Sequence, residues 1–234
     1  MIDVHIHVLN NLDDGSRSLV ESLGILQNLA NLGFTEVICT PHFMPHSKFD
    51  ADNKTKSAAL RRLRLAAKKA NLKIKLHLGN EIYIHPEIVK NIKAKNIHPM
   101  GRKHLLFELP FYEPVSGLRD IIHDLKLHGY IPILAHPERY TYFQKDKKAL
   151  LELKKSGLLF QCNYGSLIGQ YGRPAKRLAK FLLKNGTVSF LGTDIHRQDA
   201  ALFTDFPKVQ RRIIKLIGEP AYQEILHNAN NLLK

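Results

Sequence analysis

The N-terminal stretch Met1-Ile2-Asp3-Val4-His5-Ile6-His7 has the pattern of a β-strand that ends in two histidines. Its β-branched isoleucines and valine favour extended backbone. Side chains two positions apart on a strand point to the same face, so the imidazoles of His5 and His7 can reach one common point. The stretch therefore predicts a buried first strand that delivers two metal-ligating side chains at its end.

Six further apolar runs rich in β-branched residues follow this strand, and segments with helical periodicity lie between them. The predicted strands are Ile2–His7, Glu36–Thr40, Ile74–Glu81, His104–Leu109, Ile131–His136, Leu158–Asn163 and Thr187–Thr193. Strands that alternate with helices predict βα units and a mostly parallel sheet. Seven units fit a (β/α) barrel at least as well as an open doubly wound sheet. Because no repeat or linker divides residues 1–234, we expect one domain.

The composition is that of a globular protein, with 234 residues of which 44% are hydrophobic. The N-terminus lacks the basic and apolar regions of a signal peptide, and no apolar run approaches the roughly 18 residues of a membrane span. Two cysteines, Cys39 and Cys162, cannot form a disulfide framework and indicate a reducing compartment. We expect a cytoplasmic protein, either free or peripheral to the inner face of the membrane, with both cysteines buried in strands.

The chain is strongly basic, with 35 Lys and Arg residues, 21 Asp and Glu residues and a formal net charge of +14. This excess raises the alternative of a non-enzymatic nucleic-acid-binding domain. The densest basic run contains Lys54, Lys56, Arg61, Arg62, Arg64, Lys68 and Lys69. No aromatic residue that could stack on bases lies between Asp50 and Leu72. We therefore expect a solvated helix face and no nucleic-acid partner, with the charge attracting anionic substrates over a distance.

Residues suited to metal chemistry collect at the carboxyl ends of the predicted strands, where the active sites of α/β barrels are built. They are His5, His7, Asp14, His42, Glu81, Glu108, His136, Asp194 and His196. One such residue alone is more often an ion-pair or helix-capping partner, but donors at nearly every strand end favour one shared site. Carboxylates brought together there repel one another unless cations lie between them. Nitrogen and oxygen donors without a thiolate fit Mn²⁺, Fe²⁺ or Zn²⁺, and nine donors predict two or three ions.

Such a cluster would lower the pKa of a bridging water and so supply hydroxide at neutral pH for attack on a phosphoryl group. Arg139 follows the fifth predicted strand, and its paired guanidinium donors suit phosphate oxygens. A thiol route is excluded, because cysteine-based tyrosine phosphatases need an arginine six residues after the cysteine. Pro45 and Ile168 stand at those positions. The sequence therefore predicts metal-dependent hydrolysis of a phosphomonoester.

The motifs at these strand ends resemble those of the PHP (polymerase and histidinol phosphatase) superfamily. They are His5-x-His7, Asp13-Asp14-Gly15, Thr40-Pro41-His42, Gly79-Asn80-Glu81, Glu108, His136-Pro137-Glu138-Arg139-Tyr140 and Asp194-x-His196. Within the superfamily the chain resembles the CpsB/YwqE group, bacterial metal-dependent protein-tyrosine phosphatases of capsule and exopolysaccharide operons. The resemblance extends from the first strand to the C-terminal segment. It implies a distorted (β/α)7 barrel of the TIM-like PHP type in a single domain, residues 1–234.

The resemblance also implies a trinuclear site, usually given as manganese. One ion would be held by His5, His7, Glu81 and Asp194, a second by Glu81, Glu108 and His136, and a third by Asp14, His42 and His196. Arg139 would bind the substrate phosphate, and we expect Arg139, His42 and Asp194 to have the catalytic roles. Many relatives carry a second phosphate-binding arginine after the last Asp-x-His motif. Arg197 stands nearest to that position and is the expected substitute.

By the same resemblance the substrate would be a phosphotyrosine protein, in particular a tyrosine kinase of capsular or exopolysaccharide synthesis. A phenolate leaves with a pKa of about 10 and needs little help from a general acid, which suits aryl phosphates. The sequence leaves open a histidinol phosphatase, or another small-molecule phosphoesterase, on the same site. It specifies no oligomeric state.

Overall fold

The computed structural model describes residues 1–94 and 96–233. The strands are β1 (Ile2–Ile6), β2 (Glu36–Cys39), β3 (His42–Phe43), β4 (Lys75–Leu78), β5 (Glu81–Tyr83), β6 (His104–Glu108), β7 (Ile131–Ala135), β8 (Leu159–Asn163) and β9 (Phe190–Gly192). The α-helices are α1 (Leu19–Asn31), α2 (Asn53–Lys69), α3 (Ile88–Lys93), α4 (Leu118–Leu127), α5 (Thr141–Lys145), α6 (Lys147–Lys155), α7 (Gly172–Lys184), α8 (Leu202–Ile217) and α9 (Glu219–Asn231).

The strands run parallel and form two sheets, with the orders β1-β2-β4 and β3-β5-β6-β7-β8-β9. The end of β9 approaches β1, and just beyond it Ile195 forms a parallel bridge with Ile6. The result is a TIM-like arrangement of strands that, in the described part of the chain, is not closed by a continuous hydrogen-bonded ladder. The predicted distorted α/β barrel with parallel strands is confirmed.

One predicted strand is divided in the structure, and one short strand, β3, was not predicted. The predicted run Glu36–Thr40 ends as β2, and the chain resumes as β3 at His42, because Pro41 has no backbone N–H with which to continue a ladder. The predicted run Ile74–Glu81 divides into β4 and β5. These breaks move His42 and Glu81 into the second sheet, where the two residues pair in register. Two expected metal ligands thereby become direct neighbours.

The first two helices begin and end at residues that the sequence marks. The side chain of Ser18 accepts a hydrogen bond from the backbone N–H of Glu21 at the start of α1, and Gly33 follows the end of α1 with a φ of +86°. Asp52 caps α2 in the same way through the N–H of Thr55. Among the described helices, none combines the length and the apolarity needed to cross a membrane.

Both cysteines are buried in strands, as expected, Cys39 in β2 and Cys162 in β8. Burial raises the pKa of the Cys39 thiol to about 12 and raises the pKa of Cys162 well above its usual range. Both thiols therefore stay protonated at neutral pH and are poor nucleophiles.

Lys56 departs from the expectation that the basic run on α2 is wholly solvated. Its side chain is fully buried, and its Nζ donates hydrogen bonds to Oδ1 of Asn80 at 2.9 Å and to the carbonyl oxygen of Asn96 at 2.7 Å. The ammonium also lies 4.9 Å from the centre of the Phe43 ring. Because Asn80 directly precedes Glu81, Lys56 fastens α2 to the turn that sets the position of that carboxylate.

Burial lowers the pKa of Lys56 from 10.5 to about 7. Because the folded-state pKa is the lower one, the unfolded chain binds more protons above pH 7, and stability rises with pH. We expect this group to add about 3 kcal/mol to the free energy of unfolding between pH 7 and pH 9.5. Urea unfolding at both pH values should show that the variant Lys56→Met lacks this increment. The exposed neighbour Lys54 provides the control, because Lys54→Met should show the same increase in the free energy of unfolding as the wild type. Equal pH dependence in all three proteins would contradict the prediction.

Candidate metal centre

The nine predicted ligands come together at the carboxyl ends of the strands. Six of them are buried, namely His5, His7, Glu81, Glu108, His136 and Asp194. The His42 side chain is 13% exposed, that of His196 is 28% exposed and that of Asp14 is 53% exposed. The cluster is therefore buried at its base and opens to solvent on the side of Asp14 and His196.

His5, His7, Glu81 and Asp194 form the most buried group. The Nε2 atoms of His5 and His7 each lie 3.1 Å from Oε2 of Glu81, and 3.6 and 3.5 Å from Oδ1 of Asp194. The four donor atoms lie within 4.8 Å of one another, close enough to hold one ion. This group has the membership expected for the first ion.

His5 and His7 turn their Nδ1 atoms away from the shared centre and their Nε2 atoms toward it. Nδ1 of His5 lies 2.8 Å from Oε1 of Gln161, and Nδ1 of His7 lies 2.7 Å from Oδ2 of Asp13. Both oxygens are acceptors, so each Nδ1 donates, and a neutral imidazole then has its lone pair on Nε2. The two Nε2 atoms are 3.2 Å apart and also face carboxylate oxygens. Once the imidazoles are neutral, this arrangement fits a metal cation.

Two further groups adjoin the first. Nδ1 of His42 lies 3.2 Å from Oε2 of Glu81 and 3.2 Å from Oε1 of Glu108. Nε2 of His42 and Nε2 of His196 each lie 3.4 Å from Oδ1 of Asp14. Glu81 is shared by the first and second groups, and His42 by the second and third. The shared donors join the three groups into one cluster.

His136 contacts Glu81, the residue with which it is expected to share the second ion, and its Nε2 is 2.7 Å from Oε1 of Glu81. His42 also stands beside Glu81 and Glu108. The strand break before β3 brings His42 into register with Glu81. His136 and Asp194 have left-handed backbones, with φ of 33° and 53°. This conformation costs a non-glycine residue about 1–3 kcal/mol and is typical of functional sites, where it sets the side-chain direction.

The charges of the cluster shift the pKa values of its members. Burial alone would raise the pKa of Glu81, but His5 and His42 hold it well below its usual range. Burial alone would lower the pKa of His42, but the carboxylates of Glu81 and Glu108 raise it to about 9. Without a cation the imidazoles of His7 and His42 would therefore hold protons at neutral pH. Metal binding has to displace these protons, so metal affinity falls as the pH is lowered.

Asp13 and Gln161 orient the first two histidines and were not identified from the sequence as site residues. Besides its bond with His7, Asp13 accepts hydrogen bonds from the backbone N–H groups of Gly15 at 2.9 Å and His42 at 3.0 Å. A Cβ on Gly15 would lie 2.2 Å from the carbonyl oxygen of His7, so only glycine fits there. The Asp13-Asp14-Gly15 motif contains a signal for Asp13, whereas no local pattern marks Gln161.

Arg139 lies at the edge of the cluster against two aromatic rings. Its guanidinium carbon is 4.6 Å from the centre of the Phe111 ring and 4.3 Å from that of Tyr171. Its Nη1 donates to Oδ2 of Asp194 at 2.8 Å. The same oxygen accepts hydrogen bonds from Nδ2 of Asn163 at 2.7 Å and from the Tyr171 hydroxyl at 3.2 Å. These donors occupy Oδ2 and leave Oδ1 of Asp194 to the first ligand group.

Arg197 anchors the loop that carries Asp14. Its Nη1 donates to the carbonyl oxygens of Gly15 and His196, the latter at 3.2 Å. The contact joins the loop after β1 to the loop after β9, on the open side of the cluster. The expected contact between Arg197 and a substrate phosphate stays a prediction.

The whole chain, residues 1–234, matches the protein family described as capsular polysaccharide synthesis, CpsB/CapC. The putative tyrosine-protein phosphatase CapC of Staphylococcus aureus is 30% identical over 197 residues, which cover 84% of this chain and 77% of that protein. The tyrosine-protein phosphatase YwqE of Bacillus subtilis is 30% identical over 201 residues, with the same coverage of each chain.

A crystal structure from work on YwqE of Bacillus subtilis and CpsB of Streptococcus pneumoniae, described as unique metal-dependent tyrosine phosphatases, has a TM-score of 0.91 at 26% identity. The match covers 100% of this chain and 94% of that one. A probable 2-pyrone-4,6-dicarboxylic acid hydrolase from Acinetobacter baumannii has a TM-score of 0.51 at 12% identity over 99% of this chain and 98% of that one, a likeness of fold alone. Sequence and structure together therefore establish that the chain belongs to the CpsB/CapC family of capsular polysaccharide synthesis.

Proposed function

We propose that this chain is a metal-dependent phosphatase that hydrolyses phosphotyrosine in proteins. The observation that carries the proposal is the position of Arg139 beside three overlapping ligand groups, with its guanidinium on a carboxylate of the first group. A cation cluster and a fixed guanidinium at one opening both neutralise charge on a phosphoryl group during its transfer. Relatives named tyrosine-protein phosphatases support phosphotyrosine as the substrate.

The proposed cofactor is Mn²⁺, as two or three ions, with Fe²⁺ or Zn²⁺ as chemically compatible replacements. The proposed ligands are His5, His7, Asp14, His42, Glu81, Glu108, His136, Asp194 and His196. Metal ions at such a site supply Lewis-acid charge and activate water for attack at neutral pH. The orientation of His5 and His7 supports this assignment, because both Nδ1 atoms face acceptors and both Nε2 atoms face the shared centre, where they can bind a cation once the imidazoles are neutral.

The proposed catalytic residues are Arg139, His42 and Asp194. Arg139 binds and orients the phosphate, because contact with two rings restricts its rotation and its remaining N–H groups are suited to phosphate oxygens. Asp194 stays ionised, since the positive charge of Arg139 and the neighbouring histidines lower its pKa despite burial. His42 belongs to two ligand groups and therefore connects the deep part of the cluster to its open part.

Arg197 is the proposed second contact to the phosphate. It follows His196 directly, it is half-buried, and its guanidinium lies beside Gly15 on the loop that bears Asp14. In this position one edge of the guanidinium anchors the loop, and the proposal assigns the other edge to substrate. Together the two arginines would contact the phosphate from different strand ends.

We further propose that residues 1–234 act as one phosphatase domain, because the proposed ligands span the chain from β1 to the segment after β9. The proposed physiological substrate is a tyrosine kinase of capsular or exopolysaccharide synthesis, in keeping with the description of the family. A kinase that consumes ATP is phosphorylated in the cytoplasm. We therefore propose that the phosphatase acts there, either free or at the inner face of the membrane.

The test is hydrolysis of three phosphate monoesters by metal-stripped protein to which Mn²⁺, Zn²⁺ or Mg²⁺ is added back. We expect a phosphotyrosyl peptide to be hydrolysed at least about tenfold faster than a phosphoseryl peptide or histidinol phosphate, because phenolate is the better leaving group. Chelation should abolish the activity, and Mn²⁺ should restore it best. Activity that survives chelation would refute the metal mechanism, and a clear preference for histidinol phosphate would refute the tyrosine phosphatase.

A further inference from the structure

Helices α7 and α8 pack side by side and leave a groove of about 320 Å³ between them. The groove is lined by Leu167, Lys176, Lys180, Arg212, Lys215 and Leu216, and we call these residues the basic groove. The lining thus consists of four long cationic side chains and two leucines. The groove therefore has the charge and the size to accept anionic side chains.

The positive charge of this region is largely uncompensated. Helices α7 and α8 contain nine Lys and Arg residues and one acidic residue, Asp205, for a net charge of +8 out of the +14 of the whole chain. Asp205 lies 3.8 Å from Lys208, outside the basic groove. Within residues 1–94 and 96–233, none of the four groove cations has a carboxylate partner. More than half of the net charge is thus concentrated on one pair of helices.

The groove cations lie close enough to repel one another. Partial burial and the positive charges of Arg212, Lys180 and Lys208 lower the pKa of Lys176. The stem of Lys176 also lies near Gly169, on the loop that leads into α7. Like charges held together without a counterion are unfavourable, and an anionic partner relieves that cost.

The other strongly basic surface, around α2 and β4, differs because some of its basic side chains have partners within the chain. There Lys75 and His77 lie 3.7 and 2.8 Å from carboxylate oxygens of Glu36. Arg64 donates through Nε to the carbonyl oxygen of Leu76 at 3.1 Å. Lys75 and Arg64 thus have partners within the chain. Arg61 and Arg62 lie on α2 outside the basic groove and are exposed, so they supply a control with the same change of net charge.

The basic groove is connected to the proposed active site through Tyr171. This residue directly precedes α7, its hydroxyl contacts Asp194, and its ring contacts Arg139. Lys176 follows five residues later, which is roughly 7 Å along a helix axis at about 1.5 Å per residue. A peptide that continues from a phosphotyrosine at Arg139 along α7 would therefore present its flanking side chains to the groove.

We propose that the basic groove binds acidic side chains that flank the phosphotyrosine of the substrate protein. The inference rests on the proposed function and adds a docking surface to it. The carboxylates of these acidic side chains would pair with Lys176, Lys180 and Arg212, and their methylene groups would contact Leu167 and Leu216.

A membrane surface is less well matched, because a concave groove of this size admits side chains and not a planar array of headgroups. Nucleic acid is less well matched as well, since the groove lining contains no aromatic ring for stacking.

The test compares three metal-loaded proteins at 0.15 M salt: the wild type, the double variant Lys180→Glu/Arg212→Glu and the control Arg61→Glu/Arg62→Glu. Both double variants change the net charge equally, and all four residues are exposed on helices. Binding is measured by fluorescence anisotropy with two labelled peptides that contain a non-hydrolysable phosphonate analogue of phosphotyrosine. In one peptide glutamates occupy the second to fifth positions on either side of the phosphonate residue. In the other peptide serines occupy the same positions.

We expect the wild type to bind the glutamate peptide more tightly than the serine peptide. The groove variant should bind the glutamate peptide about tenfold more weakly than the wild type, whereas the control should lose less than twofold. Equal losses in both variants would overturn the proposal, because they would reflect net charge alone. Vesicles of phosphatidylserine that bind through Lys180 and Arg212, with peptide binding unchanged, would also overturn it. Hydrolysis of phenyl phosphate by the same preparations tests the proposed function separately, since failure there leaves the binding comparison valid.

Discussion

The variant Glu81→Gln should lose phosphotyrosine hydrolysis by a factor on the order of a thousand and should bind less metal per chain. Glu81 is the residue on which the cluster depends most. Its Oε2 lies 3.1 Å from Nε2 of His5 and of His7 and 3.2 Å from Nδ1 of His42, and its Oε1 lies 2.7 Å from Nε2 of His136. One carboxylate thus contributes to two of the three ligand groups.

Glutamine keeps the shape of glutamate but removes the negative charge and replaces one oxygen with an N–H₂ group that cannot act as a ligand. The change therefore isolates the ligand role from packing. Metal content by elemental analysis and kcat with a phosphotyrosyl peptide are the two measurements. Far-ultraviolet circular dichroism verifies that the variant folds.

Glu36→Gln is the matched control, because Glu36 also contacts a histidine, His77 at 2.8 Å, but lies at the start of β2, away from the strand ends that carry the ligands. The control should keep its activity within about twofold, as surface ion pairs contribute little. If Glu81→Gln retained full activity and a full metal complement, the proposed cluster would be wrong.

The second large effect is expected for Arg139→Ala, which should lower kcat by about a hundredfold to a thousandfold while leaving the metal content intact. We expect kcat to fall without loss of metal because Arg139 contacts Oδ2 of Asp194 and not the oxygen that faces His5 and His7. Oδ2 retains its hydrogen bonds from Asn163 and Tyr171 when the arginine is removed. Asp194 should therefore keep its position as a ligand.

Arg139→Lys should recover only a small part of the activity, since an ammonium keeps the charge but cannot bind phosphate through two parallel donors or stack on Phe111 and Tyr171. Added guanidinium chloride at low concentration should restore some activity to Arg139→Ala, and sodium chloride should not. Arg119→Ala, an exposed arginine on α4, serves as the control. An Arg139→Ala enzyme with unchanged kcat, or one that has lost its metal, would contradict the assigned role.

Much of the fold was predictable, because the information lies in local patterns. β-branched runs between amphipathic helices indicate parallel βα units, and each predicted run in this chain except Ile74–Glu81 forms one strand. The convergence of the proposed ligands was predictable for a related reason. Parallel strands bring their carboxyl ends to one edge, so donors far apart in sequence meet wherever the strands are correctly identified.

Other features depend on contacts between distant residues. The burial of Lys56 could not be inferred from a basic run, since its partner Asn80 comes from another element. The rings beside Arg139 come from the loop after β6 and from the residue before α7. The position of His42 beside Glu108 follows from a strand break whose effect on register no local pattern specifies.

The sequence by itself determined the class of fold, the set of proposed metal ligands and the kind of chemistry, because residue type and periodicity decide which groups lie at the strand ends. Only the tertiary structure decided which of these donors lie together, which oxygen of Asp194 faces them, and where the net charge of +14 is concentrated. The physical reason is that electrostatic interactions depend on distances between atoms. Those distances are set by the packing of elements such as α7 and α8, which the local pattern of either helix does not specify.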